Sequence, residues 1–184
     1  ANDMSDFEIL PGLPPYGPEA IPFSSTGQGE HSEGLVVRFI ADDGSEWIGN
    51  FQPSFANCEL IVRHPDGKHY LVITGGQAYV VDPNEPTKWE RFGGGIEHAI
   101  EIDDLNAILI GNGLWFELLG ENGTLWETRR ISWDGTADLT VDGLKLTGKS
   151  WSPEDCWYEF TLDLVEGTVI GGSYTGPGSP DFAT

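Results

Sequence analysis

The chain contains few basic residues. Nine Lys and Arg stand against thirty Asp and Glu, which gives a formal net charge of -21 at pH 7. Residues 1–37 contain no Lys or Arg, and neither does the sequence after Lys149. Such a chain repels nucleic-acid phosphates and anionic membrane surfaces, so we expect neither as a partner. It attracts basic proteins, although the acidity is also explained by solubility alone.

Cysteine is nearly absent. Cys58 and Cys156 are the only two, with no CxxC spacing and no histidine at the spacing of a metal ligand. We predict two buried free thiols, with a disulfide bridge as the alternative. Free thiols favour a reducing compartment.

Long apolar runs are also missing. No run approaches the roughly 18 residues that a membrane-spanning helix needs, and the N-terminus lacks the basic and apolar regions of a signal peptide. A cytoplasmic location is therefore predicted. Met4 is a candidate start, in which case Ala1 to Asp3 are not native; the alternative is a mature N-terminus left by cleavage.

Motifs for common catalytic chemistries are lacking. The histidines (His31, His64, His69 and His98) show neither HxH nor HExxH spacing, and there is no GxSxG sequence. The Gly93-Gly94-Gly95 run has no following Lys-Ser or Lys-Thr, so it is typical of a bend and not of a phosphate loop. We therefore predict no metal, no cofactor and a binding protein in preference to an enzyme.

Short β-branched and aromatic runs dominate from residue 35 onward. They recur every 8 to 12 residues or so, and most junctions carry a dipeptide that favours tight hairpins, such as Asp66-Gly67, Asn122-Gly123 and Asp142-Gly143. Parallel sheets would need helical crossovers, and no persuasive helical stripe is present. The pattern predicts an all-β fold, an antiparallel meander forming a sandwich or a curled barrel-like sheet. A short helical turn near Asp103-Asp104 or Pro153 is compatible with it.

The first 34 residues have a different texture. Residues 6–34 contain five prolines and no apolar periodicity, which opposes both helix and sheet ladder. Their apolar side chains are too numerous for a free tail. We predict an extended Pro-rich arm over 1–34 lying across a single antiparallel β-domain at 35–174, followed by a tail at 175–184.

The sequence repeats itself weakly. YLVITGGQAYVVD (70–82) and AILIGNGLWFEL (107–118) both read as an apolar strand, a glycine turn and a second apolar strand with an aromatic residue. Propeller blades repeat at roughly 40 to 45 residues, but a closed propeller needs about 4 or more of them. Two partial copies therefore favour stacked or curled sheets.

Tryptophan is abundant, with seven residues in the chain. If 124–133 were a regular strand, Trp126 would share a face with Arg130, and Trp133 with Arg129. Either pair could form an exposed patch for a partner or a sugar, or a structural contact. The predicted binding residues of this region, on adjacent strands, are Trp115, Trp126, Arg129, Arg130 and Trp133.

Three carboxylates form a second candidate group. Glu97, Glu101 and Asp103 would project to one side of a regular strand. A carboxylate pair can hydrolyse glycosides, and carboxylates can bind calcium weakly, but no calcium-loop motif is present. In so acidic a chain, ordinary surface carboxylates are the simpler interpretation.

The C-terminal third carries a resemblance. ISWDG, GKSWSP and GGSY between Arg129 and Tyr174, together with GNGLWFELLGENG upstream, resemble a pattern of uncharacterised bacterial all-β proteins. The resemblance implies a bacterial origin and a β-fold, without any catalytic residue. In charge and size the chain is similar to acidic immunity proteins that neutralise basic nuclease toxins.

Two functions are therefore carried forward. The first is an acidic bacterial binding protein, an immunity-type inhibitor of a basic toxin. The second is a carbohydrate-binding or carbohydrate-active β-domain, in which coplanar Trp residues line an open groove with carboxylates between them. Charge and fold alone do not decide between them.

Overall fold

The computed structural model describes residues 6–182, and it divides the chain into two units, Ala1–Ile96 and Glu97–Thr184. Met4 and the residues before it lie outside the described part. The predicted single domain at 35–174 therefore spans parts of both units.

The first sheet of the first unit contains two strands from the Pro-rich arm. Its order is β1-β3-β4-β2, and its strands are β1 (Phe7–Ile9), β2 (Ile21–Phe23), β3 (Leu35–Ile40) and β4 (Glu46–Phe51). β1 and β3 pair antiparallel, as do β3 and β4, whereas β2 pairs parallel with β4. Pro22 is tolerated because β2 lies at the sheet edge, where its missing N–H costs no ladder bond.

The second sheet of this unit is an uninterrupted antiparallel meander. Hairpins join neighbours in the order of the chain: β5 (Leu60–Arg63), β6 (Tyr70–Thr74), β7 (Gln77–Val81) and β8 (Trp89–Gly93). The central strand β6 is buried along its whole length, and β7 along most of it.

Aromatic side chains from both sheets form the core of the first unit. Phe23 of the arm stacks on Phe51 with ring centroids 4.3 Å apart, and it also contacts Trp89 at 5.2 Å. Gly49 leaves room for this stack, because a Cβ there would lie 2.6 Å from the Phe51 ring. The buried members of the core are Phe23, Val37, Phe39, Trp47, Phe51, Tyr70, Val72, Tyr79 and Val81.

The second unit consists of two further four-stranded antiparallel meanders. The first contains β9 (His98–Ile102), β10 (Ala107–Gly111), β11 (Phe116–Gly120) and β12 (Gly123–Glu127). The second contains β13 (Thr136–Asp142), β14 (Lys145–Ser152), β15 (Cys156–Asp163) and β16 (Val169–Gly171).

Both sheets of this unit contribute to one aliphatic core. The tilted pair Phe116 and Phe160 joins them, with ring centroids 5.9 Å apart. The other buried members are Ile102, Ala107, Leu109, Leu118, Ile131, Leu146, Leu162 and Leu164.

The predicted all-β fold is confirmed. Within residues 6–182 the only helix is a 3-10 turn at Asp103–Leu105, one of the two places where the sequence allowed one. The repeated sequence segments are the β6–β7 and β10–β11 strand pairs, each at the centre of a meander. The arm is extended, but the prediction that it opposes ladder formation is wrong for β1 and β2, because each needs only three residues on an existing sheet edge.

Both cysteines are free thiols, as predicted. Cys58 is half-buried, and burial raises the pKa of its thiol. Cys156 is exposed at the start of β15, so the prediction that it is buried is wrong.

No helix between residues 6 and 182 is long and apolar enough to cross a membrane.

The arm strand β2 can be tested by truncating its core residue. We expect Phe23→Ala to lower the free energy of unfolding by about 3–5 kcal/mol, because a fully buried ring stacked among four others is lost. Urea titration followed by tryptophan fluorescence measures this. Tyr16→Ala, in the same arm but 89% exposed, is the matched control and should change little. Equal stability of the two variants would contradict the anchoring of the arm.

Candidate functional site

Arg130 of the predicted aromatic-cation cluster is used inside the second unit. Its Nε donates to the Ser132 carbonyl at 2.9 Å and its Nη2 to the Trp133 carbonyl at 2.8 Å. The guanidinium also lies over the Tyr174 ring, 4.5 Å from the centroid, and 5.7 Å from that of Trp133. Arg130 thereby fixes the irregular segment after β12 against the chain after β16.

Arg129 makes a similar connection. Its Nη2 donates to the Gly171 carbonyl at 2.7 Å, and its Nη1 donates to the Arg130 carbonyl at 3.1 Å. Burial lowers the pKa of the guanidinium, and the charge of Asp181 opposes this shift. The expected pairing of Trp133 with Arg129 is wrong, since Arg130 is the residue that stacks on Trp133.

The pairing differs because β12 ends at Glu127, so that strand alternation no longer applies to the following residues. Thr128 ends the ladder. Its Oγ1 accepts the Phe116 N–H at 3.1 Å, the place a strand carbonyl would take, and donates to the Arg129 carbonyl at 2.8 Å.

The remaining tryptophans of the cluster, Trp126 and Trp115, have contacts of their own. Trp126 is half-buried, and its indole N–H donates to the Leu164 carbonyl at 3.1 Å. Gly167 packs on the same ring, where a Cβ would approach to 2.7 Å. Trp115 is also half-buried and follows the Asn112 turn, whose side-chain oxygen accepts the Trp115 N–H at 3.0 Å.

The carboxylates Glu97, Glu101 and Asp103 are all exposed. Only Glu101 lies in β9, opposite Ile108, while Glu97 precedes the strand and Asp103 begins the 3-10 turn. The condition for a shared side, a regular strand through Asp103, is therefore not met. Among residues 6–182 no group of three or more His, Cys, Asp or Glu side chains is arranged to hold a metal ion.

The most strongly perturbed carboxylate occupies the β5–β6 hairpin. Burial opposes ionisation of Asp66, but the backbone N–H groups of His69 and Lys68 and the His69 ring outweigh it and lower its pKa to about 2. Next to it, Lys68 Nζ lies 3.0 Å from an oxygen of Asp82, whose side chain is 2% exposed. The bonds of Asp66 close the hairpin and the Lys68–Asp82 pair joins it to the residue after β7, so we assign both to the scaffold.

The outer face of the β13–β16 sheet presents apolar side chains to solvent. Trp157 is 48% exposed and Ile170 is 79% exposed. Trp157 lies opposite Trp151 in the β14–β15 ladder, with Glu159 opposite Lys149 as the next pair on that face. A cavity of about 300 Å³ adjoins the Lys149–Glu159 pair, lined by Asp138, Thr147, Gly148, Lys149, Glu159, Phe160 and Thr161.

Trp157 is not among the binding residues that the sequence predicts. The signal that points to it is alternation along β15, where Trp157, Glu159 and Thr161 share one side and buried Phe160 and Leu162 the other. A Trp on the charged face of a strand indicates exposure more clearly than a Trp in a segment where both faces mix apolar and charged residues.

The positive charges of the chain are almost all engaged within it. Five of the nine Lys and Arg form ion pairs with carboxylates: Arg38 with Glu8 and Glu46, Arg63 with Asp6, Lys68 with Asp82, Lys88 with Glu85 and Lys149 with Asp138. Three more, Arg91, Arg129 and Arg130, donate to backbone carbonyls. Most of the thirty carboxylates therefore have no Lys or Arg to neutralise them.

Comparison with known proteins gives a distant structural likeness. No protein-family model matches the chain, and no curated protein matches its sequence. Among solved structures it is similar to the crystal structure of puromycin hydrolase, with 20% sequence identity and a TM-score of 0.43. The match covers 86% of this chain and 29% of that one, so the chain spans less than a third of that protein.

A paired substitution tests the role of the arginines. We expect Arg129→Ala with Arg130→Ala to lower the melting temperature clearly, because bonds to four backbone carbonyls and the cation–π contact with Tyr174 are lost, at about 1 kcal/mol or more for each. Arg130→Lys should also lower the melting temperature, since the ammonium group of lysine cannot replace the planar guanidinium of arginine. Lys145→Ala, an exposed cation of the same unit, is the control. An unchanged melting temperature with lost partner binding would instead assign these arginines to a binding site.

Proposed function

We propose that this chain is an acidic binding domain for a basic protein, in the manner of an immunity-type inhibitor that neutralises a basic toxin. The observation that carries the proposal is the engagement of the positive charges. Eight of the nine Lys and Arg contact carboxylates or backbone carbonyls of the chain itself. The surface that a partner meets is therefore dominated by carboxylates.

Unneutralised carboxylates act on a partner before contact. A strong field of one sign steers an oppositely charged protein and raises its association rate, and salt screens the effect. It also repels acidic proteins and nucleic acids, which narrows the range of partners. Charge therefore raises the association rate and the selectivity for basic partners more than it raises the affinity.

Affinity needs apolar anchors as well, and Trp157 and Ile170 on the outer face of the β13–β16 sheet can provide them. Tryptophan is enriched among the residues that contribute most to protein interfaces. Trp157 projects from a rigid strand, with Glu159 and Lys149 as neighbours on the same face. An apolar centre with charged neighbours matches the general anatomy of a protein interface.

We also propose a cytoplasmic location and no catalytic activity. The free thiols Cys58 and Cys156 suit a reducing compartment. A binding role requires no metal or cofactor.

The test uses the purified chain and a panel of cationic nuclease domains as probes. We expect tight binding of at least one of them with inhibition of its activity, and an association rate that falls about tenfold or more between 50 mM and 500 mM NaCl. Trp157→Ala should weaken that complex about tenfold. Leu125→Ala is the matched control, an apolar residue 61% exposed on another strand of the same unit.

Binding that does not depend on salt would contradict the electrostatic part of the proposal, and failure to bind any cationic protein would contradict the whole. Equal losses for Trp157→Ala and Leu125→Ala would remove the outer face as the docking surface.

A carbohydrate-binding role is the second candidate. It is favoured by the cavity at the Lys149–Glu159 pair, where hydroxyls of Thr147 and Thr161 and carboxylates of Asp138 and Glu159 could bind sugar hydroxyls; Trp157 lies two residues before Glu159 on the same face. An indole beside such a cavity could stack on a sugar ring. Oligosaccharide titrations of the same preparation distinguish the two candidates, since unchanged tryptophan fluorescence would remove this one.

A further inference from the structure

A second surface suited to a basic partner lies in the Pro-rich arm, wholly within the first unit. A cavity of about 470 Å³ opens beside strand β2. Its lining is Leu13, Glu19, Ala20, Ile21, Pro22, Glu30, His31 and Asn50. The apolar part comes from four of these residues, and the two glutamates are exposed to solvent.

The lining is held in place from both sides. Ile21 and Pro22 belong to β2, which pairs with Gly49 and Asn50 of β4. On the other side, the Leu13 N–H donates to the Glu33 carboxylate at 2.9 Å. The cavity therefore lies between a sheet edge and a loop that the Leu13–Glu33 bond anchors, so its lining is held by contacts within the chain.

The other polar side chains of the lining, His31 and Asn50, have hydrogen-bond partners within the protein. The His31 ring nitrogens lie 2.7 Å from the Ser32 carbonyl and 3.1 Å from the Asn50 carbonyl, and a neutral ring donates to one of the two. The Asn50 side-chain oxygen accepts the Gly34 N–H at 2.8 Å.

The two exposed glutamates are not so occupied. Neither Glu19 nor Glu30 forms an ion pair with any residue between 6 and 182. The sequence around them supplies no counter-charge either, since residues 1–37 contain no Lys or Arg. The cavity therefore combines an apolar lining with unopposed negative charge.

We propose that this cavity receives an arginine or lysine side chain of the basic partner. Such side chains bury an aliphatic stem against apolar surface while the charged head stays at the wet rim, and this division matches the apolar lining and the glutamates. Tyr16, 89% exposed in the loop between Leu13 and Glu19, adds an aromatic side chain to the surface that the partner would contact. The identity of the partner rests on the proposed function, whereas the cation preference of the cavity follows from its own lining.

The probe is a short neutral-capped peptide with one central arginine, titrated into ¹⁵N-labelled full chain. We expect saturable shifts of the amide signals of Ala20, Ile21 and His31. The same peptide with citrulline, which keeps the shape of arginine and removes its charge, should bind at least about fivefold more weakly.

Paired variants separate the cavity from the general charge of the chain. Glu19→Gln with Glu30→Gln should weaken arginine-peptide binding about fivefold. The control pair is Glu90→Gln with Glu127→Gln, two exposed strand residues whose loss changes the net charge equally. The control should change binding less than about twofold.

Three results would each overturn the inference. The first is amide shifts spread over acidic residues of both units, the second is equal binding of the citrulline peptide, and the third is an equal effect of the control pair. If cationic proteins bind with salt dependence while the cavity signals do not move, the inference fails and the proposed function stands. If the peptide occupies the cavity but no cationic protein binds, the proposed function fails and the inference stands.

Discussion

The scarcity of positive charge is the constraint on which the rest of this structure depends. With nine Lys and Arg against thirty carboxylates, each cation that joins two parts of the chain is one less to neutralise the surface. Arg130 is an example of a cation that joins two parts of the chain. It donates to two backbone carbonyls and stacks on Tyr174, and these contacts order the segment after β12, which has no regular strand structure. The surface is acidic because thirty carboxylates outnumber nine cations, and self-repulsion is the expected cost.

Much of the fold could be predicted because turn chemistry is local. Positive φ at Gly44, Gly67 and Gly143 follows from Asp-Gly dipeptides, which the sequence identifies as hairpin turns. The arm strands could not be predicted in this way. β1 and β2 have three residues each, and they exist because β3 and β4 offer open edges. The pairing of a strand with a sheet edge distant in sequence is decided by tertiary structure, and a parallel pairing has no hairpin turn that the sequence could reveal.

The candidate site was less accessible to sequence reasoning, for a physical reason. The segment after β12 departs from strand geometry because the Thr128 hydroxyl replaces a ladder acceptor, and alternation then assigns Trp133 to the wrong arginine. Carbonyl acceptors such as those of Gly171 and Leu164 have no sequence signature at all. Along β15 alternation places Trp157 and Glu159 on the side away from buried Phe160 and Leu162, but Tyr158, on the side of Phe160, is also 44% exposed, so alternation alone does not single out Trp157.

The central claim, that the carboxylates of this chain remain largely unopposed, is tested most directly by the salt dependence of stability. The free energy of unfolding is measured in urea, an uncharged denaturant, at NaCl concentrations from about 20 mM to 500 mM, over which the screening length falls below 10 Å. If repulsion among carboxylates exceeds the attraction of the few ion pairs, stability rises as salt is added. A stability that falls with salt would show that the ion pairs dominate, and it would contradict this account.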